Sequence, residues 1–452
     1  MTALTESLLV HASRTLPRYT SYPTALAFQP ASDDALTRDW LGAIRPTDPL
    51  SIYVHIPFCE RLCWYCGCHT SVPNGYDRIS DFLGHLTSEL DLWSDALPSH
   101  AGAAHVHFGG GSPNSLSRDD FSGLLASLSQ RFSLRPGAEV AVELDPGHLD
   151  RDFARGLGAA GVTRASLGVQ TFDPEVQRLV NRIQPFERVE AAVADIRGGG
   201  VEAINFDMMY GLPGQNPDNV AASLRTTLSL TPDRVALFGY AHVPWMKKHQ
   251  AMIRQEDLAD AAGRWSQAEA AEAVLLDHGY IRIGMDHFAH PDDPMAVQLA
   301  NGGLRRNFQG YTDDPAPVLI GLGPSAISAF PEGFSQNASR VDQWAAAVGS
   351  GRLPVARQLA TTPEDRLRAA VIEKLMCDLE VDVGSVCLDY GCAVAALDDG
   401  LTAARALAGD GLCSVFDRLI RVPPEVSRLV RVVAACFDQQ SAPLTKKHSL
   451  AI

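Results

Sequence analysis

"SIYVHIPFCERLCWYCGCH", Ser51 to His69, carries a β-rich run straight into a loop that holds Cys59, Cys63, Cys66 and Cys68. Four of the nine cysteines of the chain fall in this one loop. Gaps of three, two and one residues suit a shared metal centre better than separate disulfide bridges. The N-terminal "MTALTESLLVHASRTLPRY" has no long apolar core and no small-residue cleavage pattern, and no apolar run reaches the roughly 18 residues a membrane span needs. We therefore expect a cytoplasmic chain with reduced thiols.

At 452 residues, 46% apolar and 20% charged, the sequence reads as globular, with two or three domains of roughly 100 to 200 residues each. The formal charge, 38 − 53 = −15, argues against coating nucleic acid, and an anionic ligand would have to meet a local basic pocket.

Outward from the cysteine loop, β-rich runs recur from His105, Val140, Arg164, Ala203 and Arg234. Between them lie helical patterns such as Ile79, Phe82, Leu83, Leu86, Leu90, Trp93 and Phe121, Leu124, Leu125, Leu128, Phe132. Strands alternating with amphipathic helices predict an α/β fold with a parallel sheet, curled by right-handed crossovers into an open or closed barrel. The predicted strands end in the cysteine loop, Gly109 to Gly111, Glu143, Gln170, Asp207 and Tyr240-Ala241-His242. Singly, Glu143 or Asp207 reads equally well as a salt-bridged strand end. Together on one rim of a parallel sheet they mark a ligand site. "LPRYTSYPTALAF" has neither helical nor strand period and reads as an ordered arm over the site, residues 1–48. The barrel is expected over 49–330. A mainly helical domain follows over 331–452, with Thr362 or a neighbour as a helix cap and Pro363 in the first turn.

Zinc prefers two close ligand pairs with a longer spacer, and the next cysteine after Cys68 is Cys377. Iron–sulfur clusters normally take four thiolates, so three would leave one iron open to a ligand.

The C-x3-C-x2-C core after the first strand resembles the signature of radical S-adenosylmethionine (SAM) enzymes. "PRYTSYPTA", "YVHIPFC", "GVQ" with "VQRLVNR", "YGLP", "GMDHFA", "RNFQGYT" and "CFD" together resemble the oxygen-independent coproporphyrinogen III oxidases over nearly the whole chain. The resemblance implies a radical SAM partial (β/α)6 barrel and a [4Fe–4S] cluster on Cys59, Cys63 and Cys66. It implies two SAM molecules, one by Tyr53, Gly110, Glu143 and Ile327, the second by Tyr65, Gly111, Ser112, Gln170, Arg182, Asp207 and Ala241. It gives Cys68 a part in the radical or substrate step. The implied reaction turns two propionates of coproporphyrinogen III into vinyl groups, giving protoporphyrinogen IX in haem synthesis. A 5′-deoxyadenosyl radical abstracts the hydrogen, and a low-potential donor such as flavodoxin or ferredoxin supplies electrons to a monomer.

Arg18, Arg305 and Arg306 lie in motif segments and are candidates for holding propionates, although solvated surface arginines are an equal reading. His242 and His287 read as satisfied core histidines. Ser112, Asn114 and Gly239 depart from the family pattern, and the tail "KKHSLAI" lacks an expected arginine, which puts substrate gating by that tail in doubt. The alternatives are a haem-binding chaperone related to the family, whose members typically lack the fourth cysteine and the arm, and a zinc-binding scaffold.

Overall fold

In the computed structural model, which describes residues 5–440 and 450–452, the six predicted runs form parallel strands. They are β1 (Leu50–Ile56), β2 (Ala103–Gly110), β3 (Glu139–Leu144), β4 (Arg164–Gln170), β5 (Ala203–Tyr210) and β6 (Arg234–Gly239). They neighbour one another in chain order. The helices between them follow the apolar spacing. Asp77–Ala96 buries Ile79, Phe82, Leu86, Leu90 and Trp93. Arg118–Arg131 buries Phe121, Leu124, Leu125 and Leu128 behind a Ser117 cap. Asp150 and Asn216 cap the helices Arg151–Ala160 and Pro217–Leu228 with side-chain oxygens, satisfying amides that have no partner within the helix.

Along each strand, alternate residues turn to the helices and to the lumen. On β5, Ile204, Phe206 and Met208 are fully buried on the helix side. Their neighbours Asn205 and Asp207 face inward and, with Ala141 and Ser166, line a lumen cavity of about 310 Å³. Bulky Val, Ile and Leu usually fill a closed barrel of this kind; small and polar side chains leave it open here.

The sheet runs further than the sequence indicates. Val318–Leu322 pairs parallel with β1 on its free side, and Ile327–Phe330, Gly333–Asn337, Val355–Ala360 and Gln29–Pro30 of the arm extend it antiparallel. The boundary expected at 330/331 falls inside the hairpin that pairs Phe330 with Gly333. Short polar strands such as "GFSQN" carry too little hydrophobic signal to be read, and we place the division after Ala360. Beyond it lie the helices Pro363–Asp378, Val383–Asp389 and Asp398–Ala408 and a small three-stranded sheet. Thr362 forms the expected cap, as a capping box with Asp365. Of the tail, residues 446–449 lie outside the described residues.

Asp207, expected at a strand end, lies within β5, level with Gly168 and Ala236.

The arm is stitched to both parts of the chain. Arg18 donates to the Gly239 carbonyl (2.9 Å) and the Tyr19 hydroxyl to Asp438 (2.9 Å).

Glu89, fully buried on Asp77–Ala96, accepts from the Gly323 amide (2.7 Å), the Asn337 amide (2.8 Å) and the Trp344 indole (3.0 Å). Burial pushes its carboxyl up to about 7 against those bonds. With a folded value above the unfolded one of about 4.3, the stability tied to this proton is fully present below the unfolded value and is lost as pH rises through about 7. Chemical denaturation of Glu89→Ala should show a loss of about 3 kcal/mol, from the Gly323 amide and the Trp344 indole left unpaired, while the Asn337 amide keeps the Gly321 and Gly323 carbonyls, and a flatter dependence on pH between 5 and 7 than wild type; an unchanged slope would remove Glu89 as its source.

Candidate active site

The cysteine loop is pinned by its backbone. The Cys59 amide donates to the Ser71 carbonyl (3.0 Å) and the Trp64 amide to the Val180 carbonyl (3.0 Å). Gln250 donates to the Tyr65 carbonyl (2.8 Å) and Lys247 to the Cys68 carbonyl (2.9 Å). Each sulfur of the expected ligand set has a polar neighbour. Cys59 Sγ lies 3.0 Å from Thr70 Oγ1, Cys63 Sγ accepts from Arg182 (3.3 Å), and Cys66 Sγ accepts from the Cys68 amide (3.3 Å). The hydrogen bond with Cys68 draws the Cys66 thiol down to about 6, against burial. Among the described residues no three His, Cys, Asp or Glu side chains are spaced to hold a single metal ion. Three thiols with polar neighbours on one loop fit the thiolate ligation that iron–sulfur clusters take.

Beside the loop, Tyr53, Gly110, Glu143, Ile327 and Cys68 line one cavity of about 270 Å³. Glu143 accepts from His107 Nε2 (2.9 Å) and from the Gly110 amide (3.2 Å). Burial alone would raise this carboxyl, but His107 and the amide hold it below its ordinary value. Gly110, at φ +106°, admits the ring of His55, which a Cβ would approach to 2.4 Å. Burial lowers His55 to about 4, so it is neutral near pH 7. Its Nε2–H donates to the His69 carbonyl (2.8 Å), which leaves Nδ1 to accept from the Tyr53 hydroxyl (3.1 Å).

Cys68, Glu143 and Gln309 also line the lumen, where Asp207 accepts from Asn205 (3.0 Å) and Ser166 (3.3 Å). Burial and the nearby Glu143 raise Asp207 to about 6. Gln170, at φ +72°, sits at a register shift at the end of β4. The amides of Gly111 and Ser112 donate to the carbonyls of Ile56 and Phe58 (2.8 and 2.7 Å). Arg182 is turned beneath the cysteine loop, onto Asp145 (3.2 Å) as well as Cys63. Tyr65 packs against the cluster of Val176, Val180 and Tyr240, and Ala241 follows Tyr240 in the chain.

Two departures from the family pattern have local partners. Ser112 Oγ reaches Cys59 Sγ (3.8 Å), and Asn114 exchanges hydrogen bonds with the Asp145 backbone (2.9 and 3.2 Å). Arg305 pairs with Glu373, and Arg306 donates to the Tyr19 and Arg18 carbonyls. His242 bonds the Tyr240 hydroxyl (2.8 Å), while His287 faces the lumen and bonds Asp286 (2.7 Å). Sequence reading does not single out His55 or His107, although both alternate with buried residues at period two.

The Radical SAM superfamily profile matches residues 53–227. Oxygen-independent coproporphyrinogen III oxidases from Bradyrhizobium diazoefficiens and Paracoccus denitrificans are each 43% identical over 437 residues, 97% of this chain and 97% and 96% of theirs. The structure of the Escherichia coli coproporphyrinogen III oxidase, a radical SAM enzyme, superposes with a TM-score of 0.89 at 36% identity, covering 93% of this chain and 97% of that one. The chain belongs to the oxygen-independent coproporphyrinogen III oxidase family, within the radical SAM superfamily.

Proposed function

We propose that the protein converts coproporphyrinogen III to protoporphyrinogen IX by oxygen-independent oxidative decarboxylation of two propionates. The observation that carries this is the cavity where Tyr53, Gly110, Glu143 and Ile327 meet Cys68 beside the cysteine loop. Cys59, Cys63 and Cys66 would hold a [4Fe–4S] cluster, and that cavity one SAM. When bound, they would supply hydrogen-atom abstraction from the β-carbon of a propionate; loss of CO2, with the remaining electron passing to a one-electron acceptor, would leave the vinyl group. Glu143, kept ionised by His107, accepts from the ammonium or ribose of SAM. Gly110, lacking a side chain, makes room for the His55 ring beside Glu143.

A second SAM is assigned to Tyr65, Gly111, Ser112, Gln170, Arg182, Asp207 and Ala241, and support for it is the position of Asp207 in the adjoining lumen. Electrons would come from a flavodoxin or ferredoxin to a cytoplasmic monomer; no described helix is long and apolar enough to cross a membrane. A stable dimer on sedimentation would remove the monomer reading.

Replacing Cys59, Cys63 or Cys66 by Ala should abolish the brown cluster, whereas Cys377→Ala should retain it. Equal iron loss in both would refute the ligand set. Cys68→Ser should keep iron, sulfide and SAM binding yet lose most product, and full activity would return Cys68 to a packing role. Asp207→Ala should keep SAM cleavage while turnover falls, by roughly the 1.5 to 3 kcal/mol of a charged hydrogen bond; loss of the cluster itself would sink the assignment.

A further inference from the structure

Four arginines from three distant parts of the chain, Arg18, Arg264, Arg428 and Arg431, line one cavity of about 30 Å³ beside the barrel. That is room for a carboxylate-sized group. Among the described residues, the one carboxylate side chain lining it is Asp286, which is bonded to His287. Arg264 donates twice to the main-chain oxygen of Ile452 (3.1 and 2.8 Å). Arg18 donates to the Gly239 carbonyl, and Arg431 to the carbonyls of Ala451 and Leu16 (3.2 Å each) and of Leu450, all of them neutral. Arg428 shares Glu272 with Arg282, and its Nη1 is buried without a hydrogen-bond partner, on a side chain only 8% exposed. Burial, then the charge of Arg18, lowers Arg431 to about 9, as expected of a cation short of counter-charge.

The cavity shares a wall with the lumen. Gly239 and Tyr240 line the cavity directly after Phe238, which lines the lumen, and Asp286 precedes the lumen-facing His287. A Cβ at Gly239 would stand 2.9 Å from Tyr210 Oη and 3.1 Å from Arg264 Nη2, so glycine there keeps the cavity open.

We propose that the Arg18–Arg264–Arg428–Arg431 cavity is a carboxylate site that holds a non-reacting propionate of the tetrapyrrole while another propionate enters the lumen. This rests on the proposed function, since it takes coproporphyrinogen III as the substrate. A macrocycle with four propionates presents the others beside the reacting one, and guanidinium groups recognise carboxylates through paired hydrogen bonds.

The test is fluorescence titration of the full-length protein with coproporphyrin III, the stable oxidised counterpart of the substrate, and with its tetramethyl ester. Arg18→Gln, which gives up a single bond to a carbonyl, is the variant least disturbing to the fold. Arg428→Gln is the second, because Glu272 keeps Arg282 as its partner. Both should bind the tetra-acid about tenfold more weakly than wild type, the size of one charged hydrogen bond, with the ester unchanged. Wild-type affinity for the tetra-acid in both variants, or equal losses for acid and ester, would overturn the site and leave the arginines to holding residues 450–452. Turnover of coproporphyrinogen III by wild type tests the proposed function separately, so active enzyme with unaltered variant affinities rejects the arginine site alone.

Discussion

The site depends on keeping the Glu143 carboxylate ionised where two cavities meet. Removing a carboxylate from water is costly unless donors replace the solvent. Here His107 and the Gly110 amide do so. Both donors come from β2, the neighbour of β3, and a Cβ at Gly109 would lie 2.7 Å from the carboxylate. The parallel register, the glycine run and the position of His107 therefore answer to one group.

An open lumen has its own cost. Its floor is closed by charge: Arg164 pairs with Glu139 and Asp293, and Arg234 with Asp293. Buried ion pairs of this kind are often no more stabilising than apolar residues of similar volume. The polar floor thus fits a lumen that must take a charged, hydrated substrate better than it fits a demand for stability, which comes from the apolar faces of the surrounding helices.

The cysteine loop, the six strands and the glycine run are legible in the sequence because each is local: period-two alternation, helical spacing and cysteine gaps all lie within a few residues. Asp207 reads as a strand end because sequence shows where a β-rich run lies but not how far the ladder extends. The strands between 318 and 360 escape notice because they are short, and the pairings that join Val318–Leu322 to β1 and Val355–Ala360 to the arm are non-local. The partner of Glu143 is hidden for the same reason: His107 is 36 residues away and reads as one more strand residue.

The arginine cavity is the extreme case, built from positions 18, 264, 428 and 431. Arg18 alone reads equally well as a solvated surface cation. In a chain of net charge −15 the long-range field disfavours a tetra-anionic substrate, but it is screened beyond roughly 8 to 10 Å at physiological salt. Capture must then come from short-range contacts, where buried guanidiniums short of counter-charge act most strongly, and discrimination among tetrapyrroles would follow the number and position of their carboxylates rather than their net charge.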